Sequence, residues 1–265
     1  MVKRQAKPTV LSAPGFGSTR ISTVICAVII AVCAPPKAPR RALGLERVRR
    51  IASEAAKLGV GEIFVTGGEP FLLSDIGDIL TACAATAPTT VLTNGMLLVG
   101  RRLETLRGLL RDRLSLQISL DSPTPERHDQ HRGAGTWAKA WNGIERARAE
   151  GFRVRLAATV STEAQAEEFR QFLDSRQIGE QDRVIRRIAL RGFATEGIAL
   201  ARADLVPEIT ITADGVYWHP VGAEDADLLV TPDIFPLADA FAAARRAFEH
   251  ERAHAHRLLT IFNCA

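Results

Sequence analysis

Strand-length apolar runs alternate with helix-length amphipathic segments from Leu43 to Leu190, and this alternation restricts the chain to a parallel α/β fold. Apolar positions Leu45, Val48, Ile51, Ala52, Ala55 and Leu58 recur at helical spacing, and Gly59 stops the run. The apolar run Glu62 to Thr66 follows as a strand. Ser74 is placed to cap a second helix reaching about Ala85, and Thr89 to Thr93 reads as the next strand. A helix over Arg101–Asp112, a strand over Leu114–Leu120, a helix over Thr136–Glu150 and a strand over Phe152–Val160 continue the series. A helix over Thr162–Ser175 and a strand over Arg183–Leu190 complete it. Strands apolar on both faces and separated by helices are joined in parallel by right-handed crossovers. With one strand before Leu43, the expected count is six.

Beyond Leu190 the pattern changes. Ile209–Thr212 and Val216–Trp218 flank Asp214-Gly215, a good hairpin signal, and a last helix is expected from about Leu237 to Arg257. The expected division is therefore an atypical segment 1–42, a core 43–206 and a C-terminal α+β extension 207–265 packed on that core.

At 265 residues the chain suits one well-filled domain. Its formal charge of +4 comes with arginines scattered over helix faces, such as Arg47, Arg49 and Arg50, without interleaved aromatics. Solvated faces are expected from this pattern, not a nucleic-acid footprint. The four cysteines, at 26, 33, 83 and 264, match no disulfide framework, so a reducing cytoplasm is the expected setting. The basic Met1–Arg20 followed by the apolar Ile21–Ala34 has the outline of a signal peptide. It is too short to span a membrane, which takes about 20 apolar residues. Val24, Ile25, Val28, Ile29, Ile30 and Val32 favour the other reading, a buried first strand.

Four phrases stand at the ends of expected strands: VTGGEPFL (Val65–Leu72), VLTNG (Val91–Gly95), LQISLDSPTPERHDQHRG (Leu116–Gly133) and the stretch from Trp141 to Ser161. In this order and register, over roughly Leu43 to Arg191, they resemble the radical S-adenosylmethionine (SAM) enzymes. The resemblance implies a partial (β/α)6 barrel of the TIM type, with reactive residues at the C-terminal ends of the strands. It also implies SAM and a [4Fe-4S] cluster held by three cysteines, with the amino acid part of SAM on the fourth iron. Such enzymes form a 5′-deoxyadenosyl radical, draw electrons from a donor such as flavodoxin or ferredoxin, and modify a peptide or small-molecule substrate. No membrane or nucleic-acid partner is implied.

By the same resemblance, Gly67, Gly68, Glu69 and Pro70 would meet the amino group of SAM, since glycines let backbone approach a ligand closely. Asn94, whose amide both donates and accepts, and Ser119 and Asp121, which share one face of their strand, would contact ribose and carboxylate. Arg132 would pair with the SAM carboxylate through its planar fork. The remaining candidates read as structural. His250 and His254 share a helix face but sit among arginines, and Trp137 and Trp141 read as core anchors. Around DGVYWHPVG, peptide-modifying members often carry a cysteine that starts an auxiliary cluster domain; His219 stands there, and no auxiliary cluster is expected.

The element most typical of the family, a CxxxCxxC loop before the first phrase, is absent: Cys26 and Cys33 are wrongly spaced. Synonymous codons exist for Thr23–Ala31 that, read from the third base of the Thr23 codon, translate as CNLRCDHC. A pair of compensating frame changes, rewriting roughly the first forty residues, is the expectation this supports. Three readings follow from the residues: a radical SAM enzyme inactive as written, a catalytically dead barrel that binds a peptide or nucleotide, and an exported binding protein sharing the fold. RGFATEG and the DGVYW hairpin lean toward peptide or natural-product maturation.

Overall fold

The computed structural model describes residues 27–33, 42–190, 197–205, 207–223 and 225–254. In chain order the first elements are β1 (Ala27–Cys33), α1 (Leu45–Lys57), β2 (Glu62–Gly67), α2 (Ile76–Thr86) and β3 (Thr89–Thr93). Then come α3 (Gly100–Arg107), β4 (Leu114–Ser119), α4 (Pro125–Arg132), α5 (Thr136–Ala149), β5 (Arg153–Val160), α6 (Glu163–Ser175) and β6 (Arg183–Arg187). The strands form one sheet in which β6, β5, β4, β3, β2 and β1 are neighbours in that order, all parallel. This is the six-stranded parallel series expected from the alternation.

Period-two placement separates the two faces of the sheet. Ile30, Ile63, Val65, Val91, Leu116, Ile118 and Leu156 are fully buried within the main core. On the other face, Phe64, Thr66 and Leu92 meet Ile29 of β1 and Arg186 of β6 around one cavity. Strands at opposite ends of the parallel series can line one cavity only if the sheet curls, which is the shape of a partial barrel.

The described part of the apolar run before Leu43, Ala27–Cys33, is therefore a strand; Ile21–Cys26 and Ala34 lie outside the described residues. β1 lies between β2 and a later strand, with Ile29 and Ile30 buried. No helix among the described residues is long and apolar enough to cross a membrane.

The C-terminal segment joins the same sheet. β7 (Thr210–Thr212) pairs in parallel with β1, β8 (Gly215–Tyr217) returns antiparallel to β7, and β9 (Leu229–Thr231) pairs with β8. The hairpin forms where Asp214-Gly215 placed it, as a continuation of the sheet. Trp218 anchors it: the indole is fully buried and donates to the Leu205 carbonyl at 3.0 Å. α7 (Leu237–His254) follows, and the Leu237 N–H donates to Glu54 of α1 at 2.6 Å. Burial pushes the Glu54 carboxyl up, but the Leu237 N–H and Arg50 outweigh it, so the group lies below the usual glutamate value.

Some boundaries differ from expectation. α2 begins at Ile76 with Asp75 at its N-cap position, so Ser74 does not cap it. α3 ends at Arg107, because Gly108 follows and the next residues turn toward β4. α4 was not anticipated: in PERHDQHR only His128 is buried, so no apolar period marks the helix.

Two glycines fix how α5 meets the rim. Gly95, just after β3, has φ 74°, and the Cβ of any residue at Gly143 in α5 would lie 2.1 Å from the Gly95 carbonyl oxygen. Gly143→Ala would raise helix propensity by about 1 kcal/mol. The steric conflict should win, giving a net loss of roughly 1–3 kcal/mol in a urea unfolding experiment. An unchanged or raised midpoint would show that helix and rim are not in this contact.

Candidate functional site: the C-terminal rim of the barrel

Parallel strands end at one rim, where backbone N–H groups run out of strand partners and side chains must satisfy them. At the end of β2, Gly67 has φ 140°, a conformation side chains rarely adopt, and Gly68 beside it is exposed. Their backbone is open at the rim. Glu69 turns the other way and is only 6% exposed. Its Oε1 accepts the Phe71 N–H at 3.0 Å and the Thr93 hydroxyl at 2.8 Å, and its Oε2 accepts the Asn94 N–H at 2.8 Å. The carboxylate thus ties the end of β2 to the end of β3. Pro70 is buried and opens a short 3-10 turn, Pro70–Leu72. The side-chain carbonyl of Asn94 accepts the Met96 N–H at 2.9 Å, leaving its NH2 as the group it can offer a ligand.

A second junction lies at the end of β4. Asp121 accepts the Thr159 N–H of β5 at 3.1 Å on one oxygen and Arg132 Nε of α4 at 2.5 Å on the other. Its own N–H donates to His128 Nδ1 at 3.2 Å. Asp121 and Arg132, both expected at a ligand, are therefore paired with each other. Ser119 is half-buried on the strand before them. His128 is 1% exposed; because Nδ1 accepts, its proton sits on Nε2, which is buried without a partner. Burial pushes the His128 pKa below the usual value, and the nearby Asp121 charge opposes that without reversing it.

Asp129 completes the junction. It accepts the Gly135 N–H at 2.6 Å and the Trp137 N–H at 2.8 Å, capping α5, and the Trp137 bond leads the causes that hold its carboxyl below the usual aspartate value. Trp137 stacks on Trp141 with centroids 5.7 Å apart and donates to the Ser122 carbonyl at 3.1 Å, as an anchor would. The phrase HDQHRG is thus largely a device that fastens α4 and α5 to the rim. Thr93 and Thr159 were missed in the sequence, where polar residues ending apolar strands were the available signal; His128 flanks the arginine phrase but reads as uninformative there, and the structure buries it on α4.

The residues do not fit a three-cysteine cluster. Among the described residues no group of three or more His, Cys, Asp or Glu could hold a metal ion. Cys83 is buried on α2, where burial pushes its thiol up to about 12, and Cys33 ends β1 in register with Gly67. Cys26 and Cys264 lie outside the described residues, as does the side chain of His254. His219 is fully buried; its Nδ1 accepts the Val221 N–H at 3.1 Å, and Glu208 lies 3.6 Å from its Nε2.

Below the rim the cavity holds about 120 Å³, with Ile29, Phe64, Thr66 and Leu92 on one side and Arg186 and Val221 on the other. The family model of the radical SAM superfamily matches residues 24–175, which take in β1 through α6. The chain belongs to the radical SAM superfamily. It is similar to a probable GTP 3′,8-cyclase of Methanosarcina mazei, 38% identical over 104 residues, covering 38% of this chain and 30% of that protein. The match thus spans about a third of that relative's length. Two solved structures share the fold. Hexahistidine-tagged anSMEcpe with bound AdoMet has a TM-score of 0.63 at 11% identity, covering 84% of this chain and 79% of that one. Streptococcus suis SuiB bound to the precursor peptide SuiA has a TM-score of 0.51 at 15% identity, covering 90% and 49%.

Two outcomes test the junctions. Glu69→Ala strands three donors, two of them buried, and should cost roughly 3 kcal/mol in chemical denaturation. A loss near zero would mean that the rim holds without the latch. His128, neutral in the folded chain, stabilises fully above its unfolded pKa of about 6.5, and that contribution is lost as pH falls toward its lowered folded value. His128→Asn, which keeps an acceptor near the Nδ1 position, should flatten the stability curve below about pH 6.5. A variant curve parallel to the wild-type one through that window would count against a buried neutral imidazole.

Proposed function

We propose that the rim binds SAM, and that the chain as translated lacks the cluster and does not cleave SAM reductively. The carrying observation is that the motif phrases converge on the ends of β2, β3, β4 and β5 while no set of three thiolates accompanies them among the described residues. In this reading the open backbone of Gly67 and Gly68 faces the SAM ammonium. The Asn94 NH2 and the Ser119 hydroxyl serve the ribose and carboxylate. Glu69 and Pro70 act from beneath by fixing the glycines. Asp121 holds Arg132, whose Nε is already engaged, so the terminal nitrogens of that guanidinium meet the SAM carboxylate.

In an unbroken reading frame the same barrel would be a radical SAM enzyme. Its cluster loop, its electron donor of the flavodoxin or ferredoxin kind and its reducing cytoplasmic setting belong to that enzyme. The division at residues 43 and 207 is retained as a functional one, with the rim in the core segment. For substrate we favour a nucleotide or similar small molecule. The relative named above is, by its name, a GTP cyclase. The hairpin that suggested a peptide is part of the sheet, which weakens that argument, and the other segment that suggested one, RGFATEG, lies outside the described residues but for Gly197. A catalytically dead homologue that binds the same class of ligand is the alternative.

Two measurements separate these readings. Calorimetry on the purified chain should detect SAM binding, and anaerobic reconstitution with iron, sulfide and a strong reductant should give no 5′-deoxyadenosine. Formation of 5′-deoxyadenosine would overturn the claim of inactivity, and a folded chain without SAM affinity would overturn the rim assignment. Resequencing from the start codon through the Gly67 codon should reveal a frame encoding CNLRCDHC or another CxxxCxxC. A confirmed present frame would leave the dead homologue.

A further inference from the structure

The pairing register places five residues in one row across the concave face of the sheet. Ala31 of β1 pairs with Thr66 of β2; one step beyond the Val65–Val91 pair comes Leu92 of β3; Leu92 pairs with Gln117 of β4, and Gln117 with Arg155 of β5. Thr66 and Leu92 line the cavity below the rim, and Arg186 of β6 reaches it from the far side. The row therefore runs from the apolar wall of the cavity into a pair of polar side chains.

Those two side chains are not satisfied by the protein. Gln117 is 2% exposed, and its buried Oε1 has no hydrogen-bond partner; Arg155 Nε is likewise buried without one. Neighbours in register with an idle acceptor and an idle donor are costly in a folded chain unless something else fills them. Among the described residues Arg155 forms no salt bridge, and Asp182, one residue before the Leu156–Arg183 pair, is taken by Arg153 Nε at 2.6 Å. On this face of β1 to β6 the register leaves one acidic side chain, Glu62 at the start of β2, and it already accepts the Thr90 hydroxyl at 2.8 Å. A half-buried guanidinium whose Nε is shut off from solvent and which has no carboxylate of its own suits an incoming anion.

We propose that this row, with Arg186, is the substrate site: it binds a small organic anion through a carboxylate or phosphate. Arg155 and Arg186 take the anionic group. Gln117 accepts from a hydroxyl or N–H next to it, and Phe64, Leu92 and Val221 hold the apolar or unsaturated body. The inference deepens the proposed function by naming the substrate class. It rests on that reading only in giving the rim, not this floor, to SAM.

The test is calorimetric titration of the full chain with GTP, inorganic phosphate and succinate, alongside a separate titration with SAM. At least one of the three anions should bind, and Arg155→Gln should weaken it by about tenfold or more while leaving SAM affinity within about twofold. GTP alone, or phosphate with GTP, would assign a phosphate ligand; succinate alone would assign a carboxylate. Because Arg155 is held for a ligand and not for the fold, Arg155→Met should leave the melting temperature of the ligand-free chain unchanged or raised. Absence of binding by all three anions at millimolar concentration, or equal affinity in Arg155→Gln, would overturn the proposal. So would a fall in SAM affinity matching that of the anion, since the row would then serve the SAM carboxylate. Anion binding that depends on Arg155 in a chain that ignores SAM would uphold the row and sink the rim assignment instead.

Discussion

The buried carboxylate of Glu69 is the contact on which the rim depends. A parallel sheet offers its strand ends no hairpin, so the peptide groups beyond β2 and β3 have no neighbouring strand to pair with. One side chain gathers three of those donors, from Phe71, Thr93 and Asn94. With the carboxylate fixed below, the glycines above it keep their open backbone in a single conformation. The rim is shaped from underneath, and the residue that looks most like a ligand-binding acid is used for support.

The same economy recurs at β4. Asp121 joins β5 through Thr159, α4 through Arg132 and, by its N–H, the buried His128. Asp129 then fastens α5. Each junction is built on a carboxylate that gathers donors from neighbouring segments, so the acidic groups of the rim are spent on holding it together. Open polar valence remains in the exposed glycine backbone and the Asn94 NH2 above, in the buried His128 Nε2 beside β4, and in Gln117 and Arg155 below. Unmet hydrogen bonding thus occurs at two levels of the barrel, one at the mouth and one on the floor, which is the basis of the two sites proposed above.

How much of this could be read from the sequence follows from where the signal resides. Strands such as Thr89–Thr93 and helices such as α5 carry their period within a dozen residues, and the Asp214-Gly215 turn carries its own chemistry. These emerged nearly at their expected bounds. α4 has polar residues on nearly every face and is held by His128 and by contact with α5, so nothing local announces it. Glu69, Asp121 and Arg132 were recognisable as special, but not which way they face. Direction at a strand end depends on which neighbouring donors are unsatisfied, and that is settled between segments 24 or more residues apart, as for Glu69 and Thr93. Gln117 and Arg155 were legible in principle as polar residues at alternate positions of apolar strands; only the register shows that they are neighbours.

β1 carries the remaining tension. Ala27–Cys33 holds a central place, pairing on both sides with β2 and β7, and an apolar β-branched run suits that place. The codons that can recover a CxxxCxxC loop are those of Thr23–Ala31, which overlap this strand. CNLRCDHC, with charged residues at two positions and no alternating apolar set, could not fill the same central position without leaving buried charge. A chain with the loop restored must therefore supply the strand beside β2 from another segment, and the loop would then emerge at the rim, where β1 now ends beside Gly67. Under the proposed frame change, the apolar strand and the ligand loop would be competing uses of one stretch of gene. The fold tolerates the first because a sheet asks only for backbone pairing and hydrophobic burial, whereas the chemistry of the family asks for three particular thiolates.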